Sequence, residues 1–177
     1  MQRLLVIGTS GSGKSTLARA VAERLQLPYV ATDSFYWEPG WKPASSTHVE
    51  ACLSAALARP AWVLDGNFDV QHNRVWALAD CIVWLDLSWW QIVSRVALRN
   101  VRWVLTREPV WSGNVMTWRR AWSGIRHAAM SHSLKRRLYP HWLAEAAVPR
   151  VWHFKTDREV AAWLNQLAPI DKTSHRA

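Results

Sequence analysis

Cysteine is nearly absent from this chain of 177 residues, and so is any apolar segment long enough to cross a bilayer. Cys52 and Cys81 lie far apart, and their spacing is typical of neither a metal site nor a redox pair. We therefore expect both cysteines to be small buried apolar residues. No apolar run approaches the roughly 20 residues of a transmembrane helix. The short apolar run at the N-terminus leads directly into a Gly-rich loop, unlike a signal sequence. We therefore expect a cytoplasmic protein in a reducing compartment, with no membrane partner.

Acidic residues are scarce in the second half of the chain. Residues 89–177 hold 15 Lys and Arg against 5 Asp and Glu, whereas residues 1–88 are nearly balanced and the whole chain has a net charge of +9. Lys135–Arg137 is typical of a surface charge run. A positive field of this kind favours a polyanionic ligand, either nucleotide phosphates or nucleic acid, although a solvated basic helix face explains it equally well.

Tryptophan, by contrast, is abundant at 14 residues, and half of all residues are apolar. Length and composition predict one globular domain over residues 1–168, followed by a frayed tail over 169–177. Tryptophans in predicted strands and helices are expected in the core. Four others are interleaved with arginines, which is typical of helix anchoring or of a stacking surface for nucleic-acid bases: Trp103, Trp111, Trp118 and Trp122.

Short apolar runs alternate with helical patterns. The runs predict strands at 3–8, 29–33, 61–66, 81–87 and 150–156. Helices are predicted at 14–25, 45–58, between 66 and 81, from Ser88 to about Trp103, onward to 147 with a break near "REPVWSGN", and at 157–167. Thr47 with Glu50, and Thr156 with Glu159, have the spacing of a capping box. This alternation predicts an α/β fold with a mainly parallel sheet, whose ligands bind outside the carboxyl ends of the strands.

The stretch "GTSGSGKS" (8–15) matches G-x-x-x-x-G-K-[ST] in full, between a predicted strand and a predicted helix. Its glycines allow backbone N–H groups to surround phosphates, Lys14 is placed to reach the β- and γ-phosphates, and Ser15 to ligate Mg²⁺. A turn that merely caps a helix does not account for the strand, the spacing, the lysine and the serine together. The sequence therefore predicts binding of ATP and Mg²⁺ by Gly8, Ser10, Gly11, Ser12, Gly13, Lys14, Ser15 and Thr16.

Further motifs follow in a fixed order over roughly residues 3–102: "VIGTSGSGKSTLA", "DSFYWEPGW", "WVLDGNF", "IVWLDLSWW" and "RVALR". On these motifs the chain resembles the adenylate-kinase-like P-loop kinases, and more closely the small, adenylate-kinase-related DNA topology modulation proteins. The combination of W-x-P-G-W with L-D-G-N makes the resemblance specific. It implies a P-loop NTPase fold of the nucleoside monophosphate kinase type, with a five-stranded parallel sheet flanked by helices and a helical lid region at about 103–130.

The resemblance also implies roles for single residues. Asp65, in L-D-G, corresponds to an acid that helps to hold Mg²⁺; Asp86 is a second candidate, and an Asp-Gly turn is the alternative for Asp65. Arg95 and Arg99 correspond to arginines that bind nucleotide phosphates and stabilise the transferred phosphoryl group, although by pattern alone they would face water. Further candidates are Arg119, Arg120 and Arg126, among which spacing does not choose, and Lys155 beside the adenine ring.

The acceptor side departs from the adenylate kinases. Those enzymes grip the acceptor phosphate with an arginine three residues beyond the second-strand acid, where this chain has Tyr36, and with another after L-D-G, for which Arg74 is a substitute. A hydroxyl-bearing or nucleoside-like acceptor stacked on aromatic rings is therefore expected. Asp33 would orient the attacking hydroxyl, or else cap its loop. The predicted acceptor-side residues are Asp33, Tyr36, Trp37, Trp41, Asn67 and Arg74.

These features together predict an ATP- and Mg²⁺-dependent phosphotransferase that acts on a nucleotide, a nucleoside or another small metabolite. Two alternatives remain. One is a nucleotide-dependent regulator that binds DNA through the basic half of the chain, and the other is a slow NTPase without a small acceptor.

Overall fold

Seven strands form two sheets in the computed structural model, which describes residues 1–66, 72–146 and 148–167. The strands are β1 (Arg3–Gly8), β2 (Tyr29–Ala31), β3 (Trp37–Glu38), β4 (Lys42–Pro43), β5 (Trp62–Asp65), β6 (Cys81–Leu85) and β7 (Val151–Phe154). Five of them make one parallel sheet in the order β2-β5-β1-β6-β7, which confirms the predicted architecture. The other two, β3 and β4, form an antiparallel hairpin that the sequence analysis did not predict.

The helices are α1 (Lys14–Leu25), α2 (Asp33–Tyr36), α3 (Ser46–Leu57), α4 (His72–Ala77), α5 (Trp89–Thr106), α6 (Trp118–Glu145) and α7 (Asp157–Gln166). The predicted capping box at Thr156 and Glu159 is confirmed at the start of α7. The one predicted at Thr47 and Glu50 is wrong, because Ser45 accepts the hydrogen bond from the backbone N–H of His48 and starts α3 earlier.

The central sheet separates two apolar clusters, as the alternation of side chains along a strand requires. Leu4 and Val6 of β1 face α1 and α7, whereas Leu5 and Ile7 face α3, α4 and the end of α6. Cys81 lies in the first cluster, and burial raises the pKa of its thiol to about 11, so the prediction of a buried apolar cysteine is confirmed there. Helices on both faces leave the carboxyl ends of the parallel strands as the open edge for a ligand.

Helices α5 and α6 pack against each other above this edge. Ile92 and Val96 of α5 contact Ala128 of α6 in a third, smaller apolar cluster. Buried Asn100 donates from Nδ2 to the carbonyl of Ala121 over 3.0 Å, which fixes the two helices in register. The predicted break near "REPVWSGN" is present between the two helices and contains a short 3₁₀ turn, Trp111–Gly113.

Among the described residues, no helix combines the length and the hydropathy that are needed to cross a membrane.

Candidate active site

The phosphate loop joins β1 to α1 at the open edge of the sheet. Gly11 and Gly13 have φ angles of +88° and +91°, in the left-handed region that glycine adopts at least cost. A Cβ atom on Gly11 would lie 2.5 Å from Cγ2 of Val96, so the loop packs tightly against α5. This contact places the middle of α5 beside the loop, and it explains how an arginine of α5 reaches the phosphate site.

Lys14 lies under the loop and is 8% exposed. Its Nζ donates to the carbonyl oxygen of Thr9 over 3.1 Å. Burial lowers its pKa from 10.5 to about 8, opposed by the nearby carboxylates of Asp33 and Asp65. Triphosphate oxygens bound at this loop would supply negative charge to neutralise the buried ammonium.

Asp65 ends β5 directly beside the loop and is buried. Burial raises its pKa, and a hydrogen bond from Ser15 and the charge of Lys14 oppose that rise. The Tyr29 hydroxyl also donates to its Oδ1, over 3.2 Å. The two predicted metal-binding residues, Ser15 and Asp65, are therefore in direct contact.

A cleft of about 480 Å³, which we call the loop cleft, opens beside the phosphate loop. Its walls are the loop, the first turns of α1, and an apolar face of α7 formed by Val160, Ala161 and Leu164. Arg95 lines this cleft, but its guanidinium forms an ion pair with Asp157 at 2.6 Å. Lys155 is exposed and is not among the lining residues; its backbone N–H donates to Glu159.

A second cleft, of about 380 Å³, lies on the other side of the loop, and we call it the tryptophan cleft. Four indole rings line it, from the hairpin and from the segment around the break between α5 and α6: Trp37, Trp41, Trp103 and Trp111. Asp33 and Ser10 line it near the phosphate loop, and Arg120 lines it from the first turn of α6. The cleft thus contains three predicted acceptor-side residues: Asp33, Trp37 and Trp41.

Asn114 holds the hairpin in place, and its side chain is buried. It accepts a hydrogen bond from the backbone N–H of Trp41 over 2.7 Å and donates to the carbonyl of Glu38 over 3.0 Å. The Trp41 indole N–H donates to the carbonyl of Val115 over 2.9 Å. These bonds tie the W-x-P-G-W stretch to the segment between α5 and α6, which explains why its two tryptophans line a cleft with α5 and α6.

Arg99 lines both clefts. Its guanidinium lies 4.7 Å from the ring centre of Trp103, with Nη2 3.5 Å from the hydroxyl of Ser10 in the phosphate loop. Its Nε is buried and has no hydrogen-bond partner among the described residues. Burial lowers the pKa of this guanidinium, and the carboxylate of Asp33 opposes that change. An anion at the loop would satisfy both the charge and the unpaired N–H group.

Several predicted residues lie elsewhere. Arg74 pairs with Glu50 on α3, and neither it nor Tyr36 is among the residues that line the tryptophan cleft. Asn67 lies outside the described residues. Asp86, the second candidate for the metal, is buried between His153 and Arg136, which bind its carboxylate at 3.0 and 2.9 Å.

Other features were missed or misread in the sequence. Lys135 is only 5% exposed and acts on the pKa of Lys14, so the prediction of a surface charge run is wrong for this residue. The three lid arginines among which spacing did not choose are all exposed, and of these Arg120 alone lines the tryptophan cleft. Nothing local distinguishes Asn114, because apart from Trp111 the partners of its side chain, Trp41 and Glu38, lie more than 70 residues away.

The first half of the chain matches a known family. A family described as "ATPase family associated with various cellular activities (AAA)" matches residues 4–86, which span β1 to the end of β6 and amount to less than half of the chain. No curated protein sequence matches the chain.

Solved structures match over almost the full length. Shikimate kinase from Acinetobacter baumannii, in complex with shikimate, is 17% identical, with a TM-score of 0.60 over 94% of this chain and 92% of that one. A gluconokinase from Sinorhizobium meliloti 1021 is 19% identical, with a TM-score of 0.53 over 94% and 93%. The fold is that of the P-loop NTPases. Identities this low show the fold alone, so the chemistry must be argued from this chain's own residues.

Proposed function

We propose that the protein is an ATP- and Mg²⁺-dependent phosphotransferase that moves the γ-phosphoryl group of ATP to a hydroxyl of a small acceptor. One observation carries this proposal: the two clefts meet at the phosphate loop, and a single guanidinium, that of Arg99, lines both. A phosphoryl group that passes from one cleft to the other would pass this side chain.

On the donor side, the backbone N–H groups of the loop and Lys14 would hold the β- and γ-phosphates. The apolar face of α7 at Val160 and Leu164 would cover the base in the loop cleft. Arg95 would act at the rim, because its ion pair with Asp157 engages its guanidinium. Of the two predicted arginines, Arg99 is therefore the one we propose to stabilise the transferred group.

The residues beside the loop suit Mg²⁺, which proteins commonly hold through one or two carboxylates together with substrate phosphates. Asp65 supplies a buried carboxylate in contact with the Ser15 hydroxyl; burial raises its pKa, and both Ser15 and the charge of Lys14 oppose that rise. Ser15 and Asp65 would hold the ion against the phosphates. When bound, Mg²⁺ neutralises charge on the phosphate oxygens.

On the acceptor side, Asp33 would accept a hydrogen bond from the acceptor hydroxyl. As the hydroxyl oxygen forms its bond to the γ-phosphorus, the bond to the ADP oxygen breaks and the hydroxyl proton passes to the carboxylate. Asp33 lines the tryptophan cleft together with Ser10 of the phosphate loop and Arg99, which supports this role. The two similar structures are both kinases of small molecules, which supports an acceptor of this size.

A screen of ATP consumption tests the proposal, with nucleosides, nucleoside monophosphates and hydroxylated metabolites as acceptors. The expected result is ADP formation that depends on one acceptor class and is lost in both Lys14→Met and Asp33→Asn. ATP hydrolysis at the same rate with every acceptor would favour the slow NTPase instead.

One observation keeps DNA binding as a second candidate. Trp118 and Trp122 are 60% and 70% exposed, and the exposed Arg119 and Arg126 lie on the same helix. Retention of DNA that falls steeply as salt rises would support this function, whereas no retention at low salt would exclude it.

A further inference from the structure

The four rings of the tryptophan cleft form a connected set of edge-to-face pairs. The ring centres of Trp37 and Trp41 lie 5.5 Å apart, those of Trp41 and Trp111 6.2 Å, and those of Trp103 and Trp111 5.7 Å. A box of indole rings ordinarily binds a cationic ligand, because the ring faces carry partial negative charge.

In this cleft the cations belong to the protein itself. Arg120 lies 4.9 Å from the ring centre of Trp41 and 5.7 Å from that of Trp37, and Arg99 lies against Trp103. Two guanidiniums thus lie against three of the four rings. These guanidiniums would repel a quaternary ammonium or another cation, so we expect an anionic ligand in place of a cationic one.

The charges that line the cleft are unbalanced. Among the described residues that line it, Asp33 is the one acid, against Arg99 and Arg120. Within the described parts of the chain, Arg120 has no acidic side chain in ion-pair range, and its guanidinium donates only to the carbonyl of Trp41, over 3.5 Å. A guanidinium with free N–H groups presents a planar fork that fits two oxygens of one oxyanion.

We propose that the tryptophan cleft binds a small hydroxylated organic anion as the phosphoryl acceptor, with Arg120 as its anion-binding residue. This inference rests on the proposed function, because only that function makes the bound anion a phosphoryl acceptor. The hydroxyl would lie at Asp33, beside the phosphate loop, and the anionic group at Arg120, on the first turn of α6. The indole rings would pack on the carbon skeleton between the two.

The anionic group is a carboxylate or a phosphomonoester, both of which fit the fork of a guanidinium. Either would compensate for the absence of an arginine at the position of Tyr36. The anion would then be held from α6 and not from α2, so the acceptor would connect the lid region to the phosphate loop.

Equilibrium binding to matched pairs of compounds tests this inference. Each pair shares a skeleton and differs in charge: shikimate and its methyl ester, gluconate and gluconamide, AMP and adenosine. Quenching of tryptophan fluorescence in the intact chain reports binding without any turnover. We expect at least one anion to bind about tenfold or more tightly than its neutral partner, and the pair in which this occurs separates carboxylate from phosphomonoester.

Variants of α6 locate the site. Arg120→Ala should weaken that anion's binding by about 10-fold to 100-fold, as loss of a hydrogen-bonded charge implies, and should remove the preference over the neutral partner. Arg120→Lys should keep part of the preference. Arg119→Ala changes the charge equally at the next residue, outside the lining of the cleft, and should bind as the parent does.

Two results would overturn the inference. One is that no anion binds better than its neutral partner, and the other is that Arg119→Ala weakens binding as much as Arg120→Ala. The binding preference should persist in Lys14→Met. If the parent chain showed the binding preference but no acceptor-dependent ATP turnover, that result would therefore contradict the proposed function alone.

Discussion

Replacement of Lys14 by methionine should stabilise the nucleotide-free protein while removing its interaction with phosphates. Burial lowers the pKa of this lysine from 10.5 to about 8. At 1.36 kcal/mol per pH unit, keeping the buried ammonium charged costs about 3 kcal/mol of folding free energy. Methionine has a similar length and carries no charge, so it avoids that cost.

The substitution also removes one hydrogen bond, from Nζ of Lys14 to the carbonyl of Thr9. That carbonyl keeps a second donor, the backbone N–H of Ser12 at 3.1 Å, so the loss is about 1 kcal/mol. The net stabilisation is then about 2 kcal/mol. For a chain of this size it corresponds to a rise in Tm of about 4 to 8 °C.

The sign of the pH dependence is fixed by the lowered pKa. Below pH 8 the lysine is protonated in both the folded and the unfolded chain, so the folded state carries the full cost. Between pH 8 and 10.5 the folded state loses its proton first, and above 10.5 the cost is gone. The advantage of Lys14→Met should therefore be complete at pH 7 and vanish above pH 10.5.

Thermal unfolding without nucleotide, followed by circular dichroism across this pH range, measures the effect. Lys42→Met is the matched control, because it removes an exposed lysine from the hairpin. A Tm for Lys14→Met at or below that of the parent at pH 7 would show that the buried ammonium does not destabilise the fold, and a gain that persists above pH 10.5 would show that its charge is not the cause.

Four further substitutions, the first two compared with each other, have defined outcomes. Gly11→Ala should lower the Tm more than Gly13→Ala, since a Cβ on Gly11 meets Val96 at 2.5 Å whereas one on Gly13 meets nothing within 4 Å; equal melting temperatures would contradict the packing. Arg99→Ala should reduce kcat by about 10²–10³-fold in steady-state assays with a saturating acceptor, and an unchanged kcat would remove its role. Asn114→Ala should lower the free energy of unfolding, measured in urea, by about 1 to 3 kcal/mol. It should also raise the KM of the acceptor but not of ATP, because the hairpin loses its hydrogen bonds to Asn114.

The fold follows from sequence patterns because those patterns are local. The apolar run of β1, the glycines after it and the helical spacing from Lys14 lie within a short stretch, so strand, loop and helix could be predicted together. The ends of α3 match the predicted span 45–58, but its capping residue could not be predicted equally well. Ser45, Ser46 and Thr47 are all competent caps, and the sequence does not choose among them.

The residues of the candidate site could be predicted where the order of strands and loops places them, and less well where segments distant in the sequence meet. The phosphate loop and Asp65 lie at the carboxyl ends of β1 and β5, two parallel strands, and the parallel topology implies that such ends meet at one edge. The tryptophan cleft depends on contacts between residues 37–41 and 111–120. The spacing of apolar residues along the sequence does not predict such contacts. Arg119 and Arg120 are adjacent in the sequence and both exposed, and only their positions on α6 decide that Arg120 lines the cleft and Arg119 does not.

The destination of the γ-phosphoryl group tests the central claim most directly. The chain would be incubated with Mg²⁺, γ-labelled ATP and the acceptor selected by the screen, and label in organic product would be separated from label in inorganic phosphate. Most of the label should appear in the phosphorylated acceptor, and Lys14→Met should form neither product. Label released only as inorganic phosphate, or equal transfer by Lys14→Met, would show that the protein is not this phosphotransferase.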